Sequence, residues 1–442
     1  MIPPTRLALT AVTSPLEVGA ADAPALLARL QGGFEAGRYP GLELCSSDGP
    51  LGTPEEAVVA GRRFYDLRAD ALCVVAASWF EDYLVLDLLE ECHLPVILWA
   101  RPGMETGALC GMQQLGFMLR KLGIPSCFLF GEPGDPTNVD RAWQFAQAAA
   151  LCNYLRRARI GHLGHRVEGM TETTAHELAL KRIFGPRIVG IDSQIFLERV
   201  ARADRGQAAA AWQTLKSRAG RVTATEEAGI EALQVYATLR DVIDELGLAA
   251  VAVGCYPHLM GKVCLSGSLL GERGISMACE GDVNGALGMV MLTRLTGEGV
   301  APHNTDLLDP IPADNAIVYS HCGSGCFALA ASRESITLGP VRLMDRGVCS
   351  LFPAKPGSVT LVNIVASMSG YRMAVLYGEA IETGMIFPGN PLKVRFQSDY
   401  RDILAWIARE GLGHHWMAGY GDVRVPLADL SQMVGCEWLS MA

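Results

Sequence analysis

Through the first 155 residues, short apolar runs alternate with segments of helical periodicity. RLALTAV (6–12), ALCVVAAS (71–78), PVILWA (95–100) and PSCFLFG (125–131) are nearly continuous apolar stretches. Such runs suit strands buried on both faces. Between them, TPEEAVVAGRRFYDL (53–67), EDYLVLDLLEEC (81–92) and GALCGMQQLGFMLRKLG (107–123) read as helices. Thr53 is placed to cap its helix, with acids in the first turn, and Gly123 to end another. The alternation predicts a parallel sheet covered on both faces, a Rossmann-like domain over 1–157. Ligands of such sheets collect at the carboxyl ends of strands, here ASWFEDY (77–83) and ARPGMETG (100–107).

The same rhythm resumes near 159. RIGHLGHRVEGM (159–170), PRIVGID (186–192) and LAAVAVGCYP (248–257) contain strands, and 223–247 is a long helix with an acidic start. RGISMACEGDVNGALGMVMLTRLTG (273–297) reads as strand, turn and helix. These elements predict a second Rossmann-like domain over 158–305. After about 305 the pattern changes. NAIVYSHC, GSVTLVNIVAS and YRMAVLYGEAIE are rich in β-branched and aromatic residues. They predict a β-rich, barrel-like domain over 306–442. Helices near 399–410 and 425–434 flank a further strand in HHWMAGYGDV (414–423).

Composition narrows the class. Of 442 residues half are apolar, 19% are charged and the net charge is −10. That supports large cores and argues against nucleic acid or anionic membrane as partners. No run approaches the roughly 20 apolar residues of a membrane span, and the N-terminus lacks a signal-peptide core. The thirteen cysteines, an odd number without a CxxC pair, read as free thiols of a cytoplasmic protein. HCGSGC (321–326) lacks partners for a structural zinc site. Neither GxGxxG nor a Walker loop occurs, so no nucleotide cofactor is expected.

The candidate chemistry lies in the second half. Glu280 and Asp282 sit around a glycine at a strand-to-helix joint. Asp282 stands where an N-cap belongs, whereas Glu280 ends the strand on the ligand side. Asp306 lies in PHNTDLLDP, which reads as a turn. His321 ends a strand; on a continuing strand Cys322 would point away from it. The adjacent His414 and His415 would face opposite sides of an extended chain. Two carboxylates and two imidazoles suit Mn²⁺ or Mg²⁺, less often Fe²⁺ or Co²⁺.

CEGDVNGALGMVMLTRLTG, an acid 26 residues after Glu280, then SHCG and late GHHW resemble the L-fucose isomerase/L-arabinose isomerase family. LGIPSCFLFGEP and RIGHLGHRVEGM resemble the two Rossmann-like domains of its shorter members. The resemblance implies a metal-dependent aldose–ketose isomerase working by enediol proton transfer. Glu280 and Asp306 become catalytic acids and metal ligands, with Asp309 the second choice for Asp306. His321 and His415 become the other ligands, and His415 is preferred to His414. His414, Trp79 and Arg166 become substrate contacts. Mn²⁺ is the expected cofactor, with Mg²⁺ or Co²⁺ possible. The implied assembly is a homotrimer or homohexamer with the active site near a subunit interface. The substrate-facing loops match neither namesake closely. Arg166, Arg101 and Arg62, in or near expected loops, keep a charged sugar such as a sulfo-sugar in play. A metal-dependent sugar epimerase or dehydratase, and a non-enzymatic sugar-binding protein, are the rival readings.

Overall fold

A computed structural model describes residues 3–37, 39–297 and 299–441. It divides into two compact units. One runs to Tyr154 and also takes in Val425–Met433; the other comprises Leu155–Arg424 and the C-terminal strand.

In the first unit, β1 (Thr5–Val12), β2 (Leu42–Ser46), β3 (Ala71–Ala76), β4 (Val96–Ala100) and β5 (Ser126–Phe130) form a parallel sheet ordered β2-β1-β3-β4-β5. The continuous apolar runs are explained by two cores. Leu72, Val74 and Ala76 of β3 enter one, and Ala71, Cys73 and Val75 the other. Thr53 caps its helix as expected, accepting from Glu56 N–H while Glu56 accepts from Thr53 N–H. Within this unit Arg141 clamps Asp429 through two 2.7 Å hydrogen bonds. Asp429 belongs to the late helix Arg424–Val434.

The second unit opens with β6 (Arg159–Leu163) and β7 (Arg187–Ile191), followed by the short β8 (Arg221–Val222), β9 (Ala250–Val253) and β10 (Ser276–Ala278). The parallel order is β10-β9-β6-β7. Next come β11 (His303–Ile311), β12 (Ala316–Ser320), β13 (Thr337–Val341), β14 (Arg346–Leu351), β15 (Gly357–Ser367), β16 (Gly370–Ile381), β17 (Leu392–Arg395), β18 (His415–Tyr420) and β19 (Glu437–Ser440). The circuit β15-β18-β11-β12-β17-β16 closes through β15–β16 pairing into an antiparallel barrel, with β19 added to β16. β8, β13 and β14 form a small separate sheet.

The fold is therefore α/β with parallel sheets followed by a closed barrel. One local expectation fails. PHNTDLLDP is not a turn but most of β11, and the barrel starts at His303. Its polar residues are spread along a strand whose pairing with β12 and β18 supplies the order that the side chains do not advertise.

Among the described residues, no helix is long and apolar enough to cross a membrane.

Candidate metal centre

β10 ends at Ala278, and the chain turns through Glu280 and Gly281 before the helix Val283–Leu295. Both turn residues are left-handed, with φ of 62° and 72°. A non-glycine residue held there costs about 1–3 kcal/mol, so the surroundings must impose it. They do. Val167 N–H donates to Glu280 O at 3.2 Å, and Gly281 N–H to Val253 O at 2.9 Å. A Cβ on Gly281 would lie 2.7 Å from His165 O and 2.8 Å from Arg166 Cα. Only glycine lets the loop after β6 close over the turn.

The helix then starts on Asp282, whose Oδ1 accepts Gly285 N–H at 2.8 Å. Its other oxygen, Oδ2, lies 2.9 Å from His415 Nδ1. The barrel delivers that histidine. Trp416, Ala418 and Tyr420 of β18 point into the barrel core. His415 and Met417 therefore face outward, and a Cβ on Gly285 would meet Met417 Cε at 2.7 Å. In the strand register Asp306 stands opposite both His415 on β18 and Ser320 on β12. His321 follows Ser320 directly, so three of the groups arrive from neighbouring strands.

These groups converge. His415 Nε2 lies 3.1 Å from Glu280 Oε2 and 3.4 Å from Asp306 Oδ1. His321 Nε2 lies 3.8 Å from Glu280 Oε2 and 3.7 Å from Asp306 Oδ1. Neighbouring ligands at about 2.1 Å from one octahedral cation are about 3.0 Å apart, so small side-chain shifts suffice for a shared ion. Asp306 Oδ1 and both His321 ring nitrogens are buried without a well-formed hydrogen bond. Asp306 Oδ1 and His321 Nε2 face one spot without a partner of their own, which calls for an occupant. The donor set of two carboxylates and two imidazoles fits a Mn²⁺-like ion. Glu280, His321 and His415 form one possible metal-binding group, and Asp306, His414 and His415 a second that shares His415.

Electrostatics bind the cluster together without an ion. Burial would raise the Glu280 carboxyl, but His321 and His415 outweigh it and hold it far below the usual range. Burial likewise opposes charge on His415, yet Asp282 and Glu280 raise it to about 10. His321 is also raised despite burial, by Asp306 and by the Cys279 thiol. Cys322 faces His321 as well. β12 stops at Ser320, so the strand alternation that would turn Cys322 away from His321 does not apply there.

The remaining sequence-derived residues separate. His414 stands at the rim, 42% exposed, with Nδ1 2.8 Å from Glu172 and Nε2 4.0 Å from Asp306 Oδ1. Asp309 is exposed beyond a register shift in β11. Arg166 flanks the Glu280 turn through its backbone and donates to Val167 O at 3.1 Å. Trp79 belongs to the other compact unit and donates to Gln114 at 3.3 Å. Arg101 and Arg62 are in that unit too, paired with Asp22 and Glu91. Two participants escaped the sequence reading. Glu172 carried no signal. Asp282 was recognised as a cap, and its second oxygen had no visible partner 133 residues away.

No family profile matches the chain. Among solved structures, a solute-binding protein of Agrobacterium vitis with bound D-fucose covers 56% of this chain and 76% of its own at 14% identity. Its TM-score of 0.17 is too low to carry an argument. Curated proteins are nearer. The protein of Alkalicoccus urumqiensis named sulfoquinovose isomerase is 24% identical over 374 residues, 82% of this chain and 84% of its own. The protein of the same name from Priestia aryabhattai is 24% identical over 380 residues, 84% and 85% of the two chains. That of Clostridium sp. (strain MSTE9) is 24% identical over 361 residues, 78% and 80%. Over most of its length and most of theirs, this chain is similar to proteins named as isomerases of a sugar.

Proposed function

We propose that the chain is a metal-dependent aldose–ketose isomerase acting on a sulfonated aldose such as sulfoquinovose. The observation that carries the reading is the meeting of Glu280, Asp306, His321 and His415 within 3.1–3.8 Å contacts. The name shared by relatives that align over about four-fifths of the chain supports the substrate class. The likeness to L-fucose and L-arabinose isomerases accords with the same chemistry, and their unsulfonated sugars form the comparison set.

Isomerisation moves a proton between C1 and C2 of the open-chain sugar and a second proton between O1 and O2. A divalent cation, Mn²⁺ by preference, would supply polarisation of those oxygens when bound to Glu280, Asp306, His321 and His415. Glu280, aimed by its left-handed turn, would take the proton at carbon. Asp306 keeps an oxygen free of hydrogen bonds and moves the proton at the sugar oxygens. His414, paired with Glu172 at the rim, contacts the sugar. The resemblance extends this proposal to a cytoplasmic homotrimer or homohexamer.

The test is incubation with sulfoquinovose, L-fucose and L-arabinose plus Mn²⁺ in D₂O, followed by NMR. The expected result is a ketose from the sulfonated sugar with deuterium at C1 or C2 of the interconverting pair. Mn²⁺ binding with no ketose from any aldose would overturn it in favour of an epimerase or dehydratase.

A further inference from the structure

The geometry points to Asp282 as the positioning residue of this centre: we propose that its single carboxylate caps the helix and fixes the tautomer of His415. This rests on the metal-site reading above.

The two carboxylate oxygens have different partners. Oδ1 accepts Gly285 N–H at 2.8 Å, the ordinary N-cap bond. Oδ2 lies 2.9 Å from His415 Nδ1, and both side chains are buried, at 3% and 4% exposure. A carboxylate only accepts, so Nδ1 carries the hydrogen. That leaves Nε2, on the other side of the ring and facing Glu280 and Asp306, as the nitrogen whose proton a cation would displace to take the lone pair. A carboxylate behind a ligating histidine fixes ring orientation and raises ligand basicity.

The neighbouring glycine corroborates the arrangement. Gly285 lies inside a helix, where alanine is ordinarily favoured by about 1 kcal/mol. Here a Cβ would sit 2.6 Å from Asp282 Oδ2, the oxygen that holds His415. Gly288, one turn on, would place its Cβ in ordinary contact, 3.5 Å from Met417 Cγ. Of the two glycines, only Gly285 protects the carboxylate. The joint thus ties helix start and barrel strand to one side chain.

Asparagine separates the two roles. It caps as well as aspartate does, but it has only one acceptor oxygen. With that oxygen on Gly285 N–H, its NH₂ must face His415 Nδ1. The ring would then place its hydrogen on Nε2, the wrong tautomer for a ligand. The test is Mn²⁺ titration followed by electron paramagnetic resonance of the free ion, with the thermal midpoint of the metal-free protein as a second readout. Asp282→Asn is expected to fold with its helix cap intact, at a midpoint lowered by the loss of the buried Asp282–His415 pair, and to lose about 10–100-fold in Mn²⁺ affinity. Asp282→Ser, a cap too short to reach His415, should match it. Gly285→Ala should lose affinity, whereas Gly288→Ala should not. Asp282→Asn and Asp282→Ser both binding Mn²⁺ within twofold of wild type would overturn the proposal, leaving Asp282 as a cap only. Should Asp282→Asn fail to fold, the Ser and Gly285 variants decide by the same affinity criterion. A wild-type protein that binds no Mn²⁺ overturns the metal-site reading itself, and the proposal with it.

Discussion

Glu280 and His415 are 135 residues apart in the chain and 3.1 Å apart in the fold. One lies in the turn after a strand of the second parallel sheet, and the other begins a strand of the barrel. Each shifts the other's protonation toward the charged form. The centre therefore exists only when the barrel strands are docked beside the helix that starts at Asp282.

The two adjacent histidines should behave differently. His415→Ala is expected to lower Mn²⁺ affinity by more than about 100-fold, beyond the range typical of outer-shell changes. His414→Ala should leave it within about threefold, because His414 is half exposed and directed to Glu172. Calorimetric titration of both variants measures the contrast. Equal losses would move the centre toward the group formed with His414.

Asp306 tests chemistry apart from folding. Its Oδ1 makes no hydrogen bond, so Asp306→Asn breaks no bond and removes only its attraction for His321 and His415. The expected outcome is a thermal midpoint near wild type with kcat on the sulfonated aldose reduced by about 10²–10⁴-fold. A variant that unfolds instead would show Asp306 to be structural.

Proton linkage gives a pH signature. Against the effect of burial, Asp282 and Glu280 push His415 up to about 10, above its ordinary 6.5. Its contribution to stability is thus complete below about pH 6.5 and is lost as pH rises through 10. Glu280 is shifted the other way, so its contribution holds above its ordinary 4.5 and is lost on acidification below it. Metal binding needs deprotonated imidazole, and Mn²⁺ affinity should rise with pH from 6.5 toward 10. At pH 7.5, titrations in buffers of different ionisation enthalpy should detect release of about one to two protons. A pH-independent affinity without proton release contradicts the cluster.

Gly281→Ala probes the turn. The added Cβ meets the His165–Arg166 backbone at 2.7–2.8 Å, in a left-handed conformation that already disfavours it. A loss of about 1–3 kcal/mol in urea unfolding is expected, with weakened Mn²⁺ binding in the folded fraction. Stability equal to wild type would mean that the loop after β6 yields, and that Glu280 is aimed by some other contact.

Much of this protein is written in local patterns. Strands buried on both faces need continuous apolar runs, so ALCVVAAS and PVILWA announced a parallel sheet. The β-branched segments after 315 announced the barrel. Thr53 and Asp282 announced helix starts, because a cap bond spans only three residues. The same locality explains the failures. β11 is held by its neighbours rather than by its own composition, so the residues around Asp306 carry the local pattern of a turn.

The acids and imidazoles themselves were visible in the sequence, but their assembly was not. Barrel register sets Asp306 against His415, and His321 follows the end of β12 at Ser320 to reach the same centre. Sequence alone determined the elements and which residues could do chemistry, since periodicity and capping act within a few residues. Only tertiary structure decided that His415 rather than His414 enters both groups, and that Asp282 has a second partner. Those contacts join segments more than 130 residues apart, and no local interaction encodes them.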